Sequence, residues 1–140
     1  MSGWAKSEVD YMHFNDKRLK KRCAILLEAL GENSEASIPK ACQSKAATKA
    51  AYRFFDNDQI DTNEICKGFF DSTINRIKEH KLVLILSDST NIVYTSHKSL
   101  EGIGVLRNFK ARGLNMHTAF VVTPYEQSLG ILYQKIWGRN

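Results

Sequence analysis

One acidic residue directly follows a strongly apolar segment. Residues 82–90 read LVLILSDST, which places Asp88 after five apolar residues and one serine. Such an acid can bind Mg²⁺ together with other carboxylates and activate water for phosphodiester cleavage. It can also be a phosphatase nucleophile, although Thr90 stands where that class has a second Asp, or it can cap a turn through its own backbone. The residues alone favour the turn.

A second segment with possible chemistry, residues 45–56, reads KAATKAAYRFFD. At helical spacing its cationic and hydroxyl side chains lie together, and they comprise Lys45, Thr48, Lys49, Tyr52 and Arg53. Such a ridge can contact phosphates and base edges in a DNA major groove. The apolar residues form a stripe suited to packing on a neighbouring element: Ala47, Ala50, Ala51, Phe54 and Phe55. Spacing alone favours a solvated charged face over DNA contact.

Residues 17–22 read KRLKKR, so five of six positions are basic at the start of a predicted helix. Cations at a helix N-terminus oppose the helix dipole, so helix stability does not explain their placement. Contact with phosphates explains it, and so does a solvated surface. The residues leave both explanations open.

The composition narrows the class of protein. An apolar fraction of 43% and a charged fraction of 25% are typical of a globular chain. No apolar run reaches the length of a membrane span, and the N-terminal residues MSGWAKSEVD lack the apolar segment of a secretion signal. We therefore expect a cytoplasmic protein without membrane contact. The three cysteines are isolated and the four histidines are scattered, which argues against disulfides and structural zinc. The net charge of +5 is spread out and is weak evidence for DNA binding.

The order of periodic segments predicts an α+β protein with two domains. Helices are expected after Asn15, ending at Gly31, after Ser44, and from Asp61 to about residue 79. Residues 82–86 are apolar on both faces, as in a buried central strand. Residues 115–123 and 129–137 predict two further strands around the turn TPYEQS. We therefore predict a helical domain over residues 1–80 and a three-strand antiparallel meander over residues 81–140.

Four segments, taken in order, resemble a known family. They are WAKS at 4–7, NDKRLKKR at 15–22, SKAATKAAYRFFDN at 44–57 and LILSDSTNIVY at 84–94, and GILYQKIW at 130–137 fits as well. Together they resemble the N-terminal part of bacterial cut-and-paste transposases of the insertion-sequence-four type, which include the transposon-five enzyme. SKAATKAAYRFF is the most specific of these matches. Lys17 and Lys49 depart from residues that are common in the family.

The resemblance implies a helical domain that binds double-stranded DNA at transposon ends, followed by a ribonuclease-H-like catalytic core. In that family the first core strand carries the first of three acids, Asp-Asp-Glu, which bind Mg²⁺ or Mn²⁺ for strand cleavage and transfer. Asp88 matches the first acid, and Tyr52 and Arg53 match the AYRF motif. Arg18 and Arg22 match the basic N-terminal helix. With Lys45, Thr48 and Lys49 these residues form the predicted DNA-binding set.

The remaining acids of the triad have no match in these residues. Only Glu101 and Glu126 follow Asp88, and Glu126 lies in the predicted turn TPYEQS. One carboxylate holds Mg²⁺ weakly, so we expect a truncated, catalytically inactive transposase with an incomplete core and no tightly bound metal. Its first expected partner is transposon-end DNA. An incomplete core would expose the apolar residues 82–86, so we also expect association with full-length transposase or a second copy. An interaction or inhibitor protein without specific DNA binding is the alternative.

Overall fold

A computed structural model describes residues 3–97, 99–107 and 110–139. Five helices precede the strands: α1 (Gly3–Val9), α2 (Lys17–Glu32), α3 (Ile38–Cys42), α4 (Lys45–Phe55) and α5 (Thr62–Ile77). Four strands form one antiparallel sheet: β1 (Leu84–Val93), β2 (Gly104–Val105), β3 (Arg112–Val122) and β4 (Ser128–Trp137). The predicted α+β order, helices first, is confirmed. The predicted meander is right for the long strands but omits β2.

The chain divides into two compact units, Met1–Ser72 and Thr73–Asn140. The sequence-based boundary lies after residue 80, whereas this division falls within α5. The last turns of α5 contact β4: the Arg76 guanidinium donates to the Leu129 carbonyl, and a Cβ at Gly130 would lie 2.5 Å from Thr73 Oγ1. Because these contacts are with the sheet, the end of α5 belongs to the second unit.

The first unit is built around apolar residues of α1, α2 and α4. Its buried core comprises Val9, Met12, Cys23, Ala24, Leu26, Ala51 and Phe54. Sequence periodicity missed the seven-residue α1, which is too short to show a clear helical pattern. It also placed the start and end of α2 wrongly. Asp16, not Asn15, caps α2, and Gly31 lies inside the helix, where a Cβ would come within 2.6 Å of the Trp4 ring.

Helix α4 begins as the sequence predicts. The Ser44 hydroxyl accepts a hydrogen bond of 3.1 Å from the Ala47 backbone N–H, and the Ser44 carbonyl accepts one from the Thr48 hydroxyl. The predicted apolar stripe is right for Ala51 and Phe54, which are buried, but wrong for Phe55, which is 51% exposed. Helix α5 likewise starts with Asp61 accepting a hydrogen bond from the Asn63 N–H.

Cys23 provides a chemical test of this core. Burial raises the pKa of the Cys23 thiol to about 11, whereas Cys42 and Cys66 are only partly buried. Thiolate is the reactive form, so at pH 8 we expect Cys23 to react with iodoacetamide at least about tenfold more slowly than Cys66. Mass spectrometry of timed samples measures this, and in denaturing urea the three rates should converge. Equal rates in the folded protein would contradict the packing.

The sheet places β3, not β1, in its centre. β3 pairs with β1 along Gly113–Val122. It also pairs with β2 at Arg112 and Gly113 and with β4 from Asn115 to Val122. The expected central, buried strand at residues 82–86 is therefore wrong, because β1 is an edge strand among the described residues. Its apolar side chains are exposed, including Ile85 at 55% and Leu86 at 53%. β1 also continues to Val93, which places Asp88 in the middle of the strand.

Candidate nucleic-acid interface

A groove between α2 and α4 collects basic side chains from both helices. Arg18 and Arg22 come from the first turns of α2, and Lys49 and Arg53 from α4. Asp16, Leu19, Ala46, Ala50, Phe54 and Asn57 line the same groove. The two pairs are far apart in sequence, and the packing of α2 on α4 brings them together. The structure thus assembles four of the predicted DNA-contact residues on one surface.

One of these cations is held by a carboxylate. The Arg18 guanidinium donates hydrogen bonds to Asp16 Oδ2, at 3.1 Å from Nε and 2.9 Å from Nη2. Its Nε also donates to Asp16 Oδ1 at 3.3 Å. Together with the Arg18 backbone N–H, these bonds lower the pKa of the Asp16 carboxyl, and the pKa of Arg18 is raised. The Arg18 side chain is nevertheless 92% exposed. It can therefore still offer its remaining N–H groups to a phosphate.

A second groove lies on the other side of α4, against α3. The predicted residues Lys45, Thr48, Lys49, Tyr52 and Arg53 all line it, with Pro39, Gln43, Ser44 and Asp56. Gln43 has a φ of 59°, in the left-handed region. This turn allows only two residues, Gln43 and Ser44, to connect α3 with α4. The short helix α3, the tight turn and the longer helix α4 form a helix-turn-helix-like arrangement.

The exposed side of α4 therefore carries both cationic side chains and neutral hydroxyl groups. Lys49 and Arg53 line both grooves, so they lie along the exposed ridge of the helix. Guanidinium and ammonium groups bind phosphates, whereas Thr48 and Tyr52 supply neutral hydroxyl groups that suit base edges or the sugar–phosphate backbone. Tyr52 is 46% exposed, so its ring is accessible to a ligand.

Sequence reasoning missed three polar residues at these grooves. Gln43 and Asp56 line the α3–α4 groove, and Asn57 lines the α2–α4 groove. Asn57 continues the Lys49–Arg53 spacing by four residues, which is the signal that could have found it. The Asn57 side-chain oxygen accepts a hydrogen bond of 2.9 Å from the Gln59 N–H. This bond uses the oxygen of the amide and not its NH₂ group, which can donate to a ligand.

Asp88 belongs to the second unit and lies within β1. It pairs with Thr118 of β3, and its Oδ1 accepts a hydrogen bond of 2.8 Å from the Ser89 N–H. Asp88 does not lie at the end of a strand or in a turn, so the turn-capping role is wrong. Thr118 in turn accepts a hydrogen bond from the Gln134 amide.

The surroundings of Asp88 do not by themselves form a magnesium site. Thr118 and Gln134 are neutral, and the described residues contain no group of three His, Cys, Asp or Glu side chains placed to hold a metal. Mg²⁺ favours sites where several charged oxygens converge. On the opposite face of β1, Ser87 and Ser89 hydrogen-bond the two ring nitrogens of His117, at 3.0 and 2.8 Å.

The geometry can be compared with known proteins. Residues 1–60 match the family model of transposase DNA-binding. The match includes α1 to α4 and therefore both grooves. It supports a transposase N-terminal domain whose partner is DNA, as the sequence resemblance suggests. Across the described residues no helix combines the length and apolar character needed to cross a membrane.

Proposed function

We propose that this chain is the N-terminal part of an insertion-sequence-four-type transposase and binds duplex DNA at transposon ends through α4. The convergence of Arg18, Arg22, Lys49 and Arg53 within the matched residues 1–60 carries this proposal. Four cations in one open groove neutralise several neighbouring phosphates, which is the largest sequence-independent contribution to DNA affinity.

In this proposal the two grooves contact different parts of the DNA. The α2–α4 groove binds the phosphate backbone and so fixes the orientation of α4 on the duplex. The α3–α4 side then presents Lys45, Thr48 and Tyr52 to base edges. A DNA-binding role of this kind places the protein where the DNA is, which for a bacterial transposase is the cytoplasm.

A selection experiment tests the proposal. A pool of randomised duplexes is passed over the purified chain, and the enriched sequence is compared with DNA that flanks the coding sequence. We expect enrichment of a terminal-repeat sequence. A plot of log affinity against log salt concentration should fall with a slope of about −3 or steeper. Salt-independent binding, or no enrichment over shuffled duplex, would overturn the proposal and favour an interaction protein without specific DNA binding.

For the second unit we propose a ribonuclease-H-like core in which Asp88 is the first acid of the Asp-Asp-Glu triad. The family's Mg²⁺ or Mn²⁺ would activate water or a DNA hydroxyl group for attack on a phosphodiester. The second Asp and the Glu have no counterpart in these 140 residues. In addition to DNA we propose full-length transposase as a protein partner, because Ile85 and Leu86 expose apolar surface at 55% and 53%.

This assignment predicts that the chain alone does not cut DNA. Incubation with end-bearing duplex and excess Mg²⁺ or Mn²⁺ should leave the strands intact, because one carboxylate rarely displaces the ion's waters. Denaturing gels of end-labelled strands measure cleavage. Asp88→Asn should bind the same duplex as tightly as the unaltered chain. Cleavage that disappears in Asp88→Asn would contradict the prediction.

A further inference from the structure

We propose that Lys6, Lys17, Lys20 and Lys21 form a second phosphate-contact surface, here called the α1–α2 lysine surface. It rests on the proposed DNA binding and extends it, because it lies outside both α4 grooves. The proposal assigns this surface to sequence-independent contact with the backbone of the same duplex.

The four lysines line one groove together with Val9, Asp10 and Ala24. Lys6 comes from α1, and the other three come from the first turns of α2. The basic run KRLKKR is thus divided by the helix: Arg18 and Arg22 face the α4 side, whereas its lysines face the α1 side. Helical spacing sets this division, since residues 18 and 22 share one side of a helix and 17 and 21 share another.

The charge balance of this surface favours an anionic ligand. Lys20 forms an ion pair with Asp10 at 2.8 Å, and this hydrogen bond, with the charges of Lys20 and Lys6, lowers the pKa of the Asp10 carboxyl. Lys17 and Lys21 have no carboxylate within ion-pair distance in the described part of the chain. Four cations and one anion leave an excess of three positive charges.

Fold stability gives no reason for this excess. The first turn of α2 contains no acid, and cations there oppose the helix dipole. The cations therefore lower the stability of the isolated helix slightly, and a polyanion is the ligand that reverses their repulsion. Together with Arg18 and Arg22, they make the outer side of α2 a cationic band from the α1 side to the α4 side.

DNA phosphates fit this band better than a small anion does. The surface is an open groove whose charges come from two helices, so it matches a row of phosphates instead of a single enclosed group. Counterion release makes each such contact additive in the salt dependence of binding. The contacts carry no base information, so they should raise affinity for selected and shuffled duplexes alike.

The test compares two variants in which lysine is replaced by glutamine, at three positions of the lysine surface and at two control positions. Lys6→Gln/Lys17→Gln/Lys21→Gln removes three charges while it keeps part of each aliphatic stem and a similar helix propensity. The control, Lys40→Gln/Lys67→Gln, removes exposed lysines elsewhere in the same unit, one of them paired with Asp71. We expect the triple variant to bind duplex about 10- to 100-fold more weakly near physiological salt, with a salt slope smaller by about 2 to 3. The control should change the slope by less than about 1.

Asp10→Asn gives a test in the opposite direction. Removing this anion frees Lys20 for phosphate, so affinity should rise a few-fold, a result that loss of folded protein cannot produce. Unchanged or weaker binding by Asp10→Asn, or a triple variant that matches the control, would overturn the lysine surface. A triple variant that alters the preference for selected over shuffled duplex would also overturn it, because phosphate contacts cannot read sequence.

Failure of this inference is distinguishable from failure of the proposed function. If Lys49→Gln/Arg53→Gln loses binding while the lysine variants do not, α4 binds DNA and the lysine surface does not. If neither variant changes binding, the proposed DNA interface on α4 is wrong as well.

Discussion

Arg22→Gln/Arg53→Gln is expected to lower affinity for the selected duplex by about 100-fold or more. The two arginines come from α2 and α4 and line the same groove. A hydrogen bond to a charged group contributes about 1.5 to 3 kcal/mol. The double substitution removes one such phosphate contact from each of the two helices. The salt slope should fall by about 2 at the same time, since each lost phosphate contact lowers it by about 0.9. Fluorescence anisotropy over a salt series measures both quantities.

The matched control is Arg107→Gln, which makes the same change at an exposed position in the other unit. It should leave affinity and slope unchanged. The single variants complete a double-mutant cycle, and because both residues line one groove, their effects should not be additive. Affinity that survives the double substitution would contradict the α2–α4 groove as the DNA interface, whatever the control shows.

Phe54→Ala is expected to destabilise the helical unit by about 3 to 5 kcal/mol. Phe54 is 4% exposed, belongs to the buried core and packs against Phe14 at a ring-centroid distance of 6.5 Å. Truncating a buried Phe removes its burial energy and leaves a cavity. A domain of this size has only about 5 to 15 kcal/mol of stability in total, so much of the helical unit should unfold at 37 °C. Urea unfolding followed by far-UV circular dichroism measures the change.

The adjacent Phe55 provides an unusually close control. It has the same side chain on the same helix, but it is 51% exposed and touches Phe54 only through an edge-to-face contact with centroids 5.8 Å apart. Phe55→Ala should therefore cost less than about 1.5 kcal/mol. Equal costs at the two positions would mean that α4 is rotated relative to the packing described above. Such a rotation would also move Lys49 and Arg53 out of the α2–α4 groove.

Local sequence patterns were sufficient for the parts of the molecule that neighbouring residues decide. The Ser44 cap, the helix that follows it and its cationic ridge depend on hydrogen bonds and spacings within a few residues, and the structure confirms the helix and its cap. The α+β order was likewise visible in the change from helical to extended periodicity. The matched DNA-binding family also agrees with motifs that could be recognised in the sequence, SKAATKAAYRFF above all.

Patterns of the same kind failed where the environment is supplied by distant residues. An apolar run at residues 82–86 indicates a strand but not how many strands flank it, so the sequence could not tell that β1 is an edge strand here. It also could not place Asp88, because the strand continues through polar residues to Val93 and pairs with β3 along its whole length. The role of Asp88 as a catalytic acid remains a prediction.

The sequence by itself determined the helix that begins after Ser44 and which side of that helix is charged. Only the tertiary structure decided that Arg18 and Arg22 join Lys49 and Arg53 in one groove while the lysines of the same basic run turn towards Lys6. The physical reason is that helical spacing fixes directions around one helix axis. The partner that each direction meets depends on how the apolar faces of α1, α2 and α4 pack into a shared core.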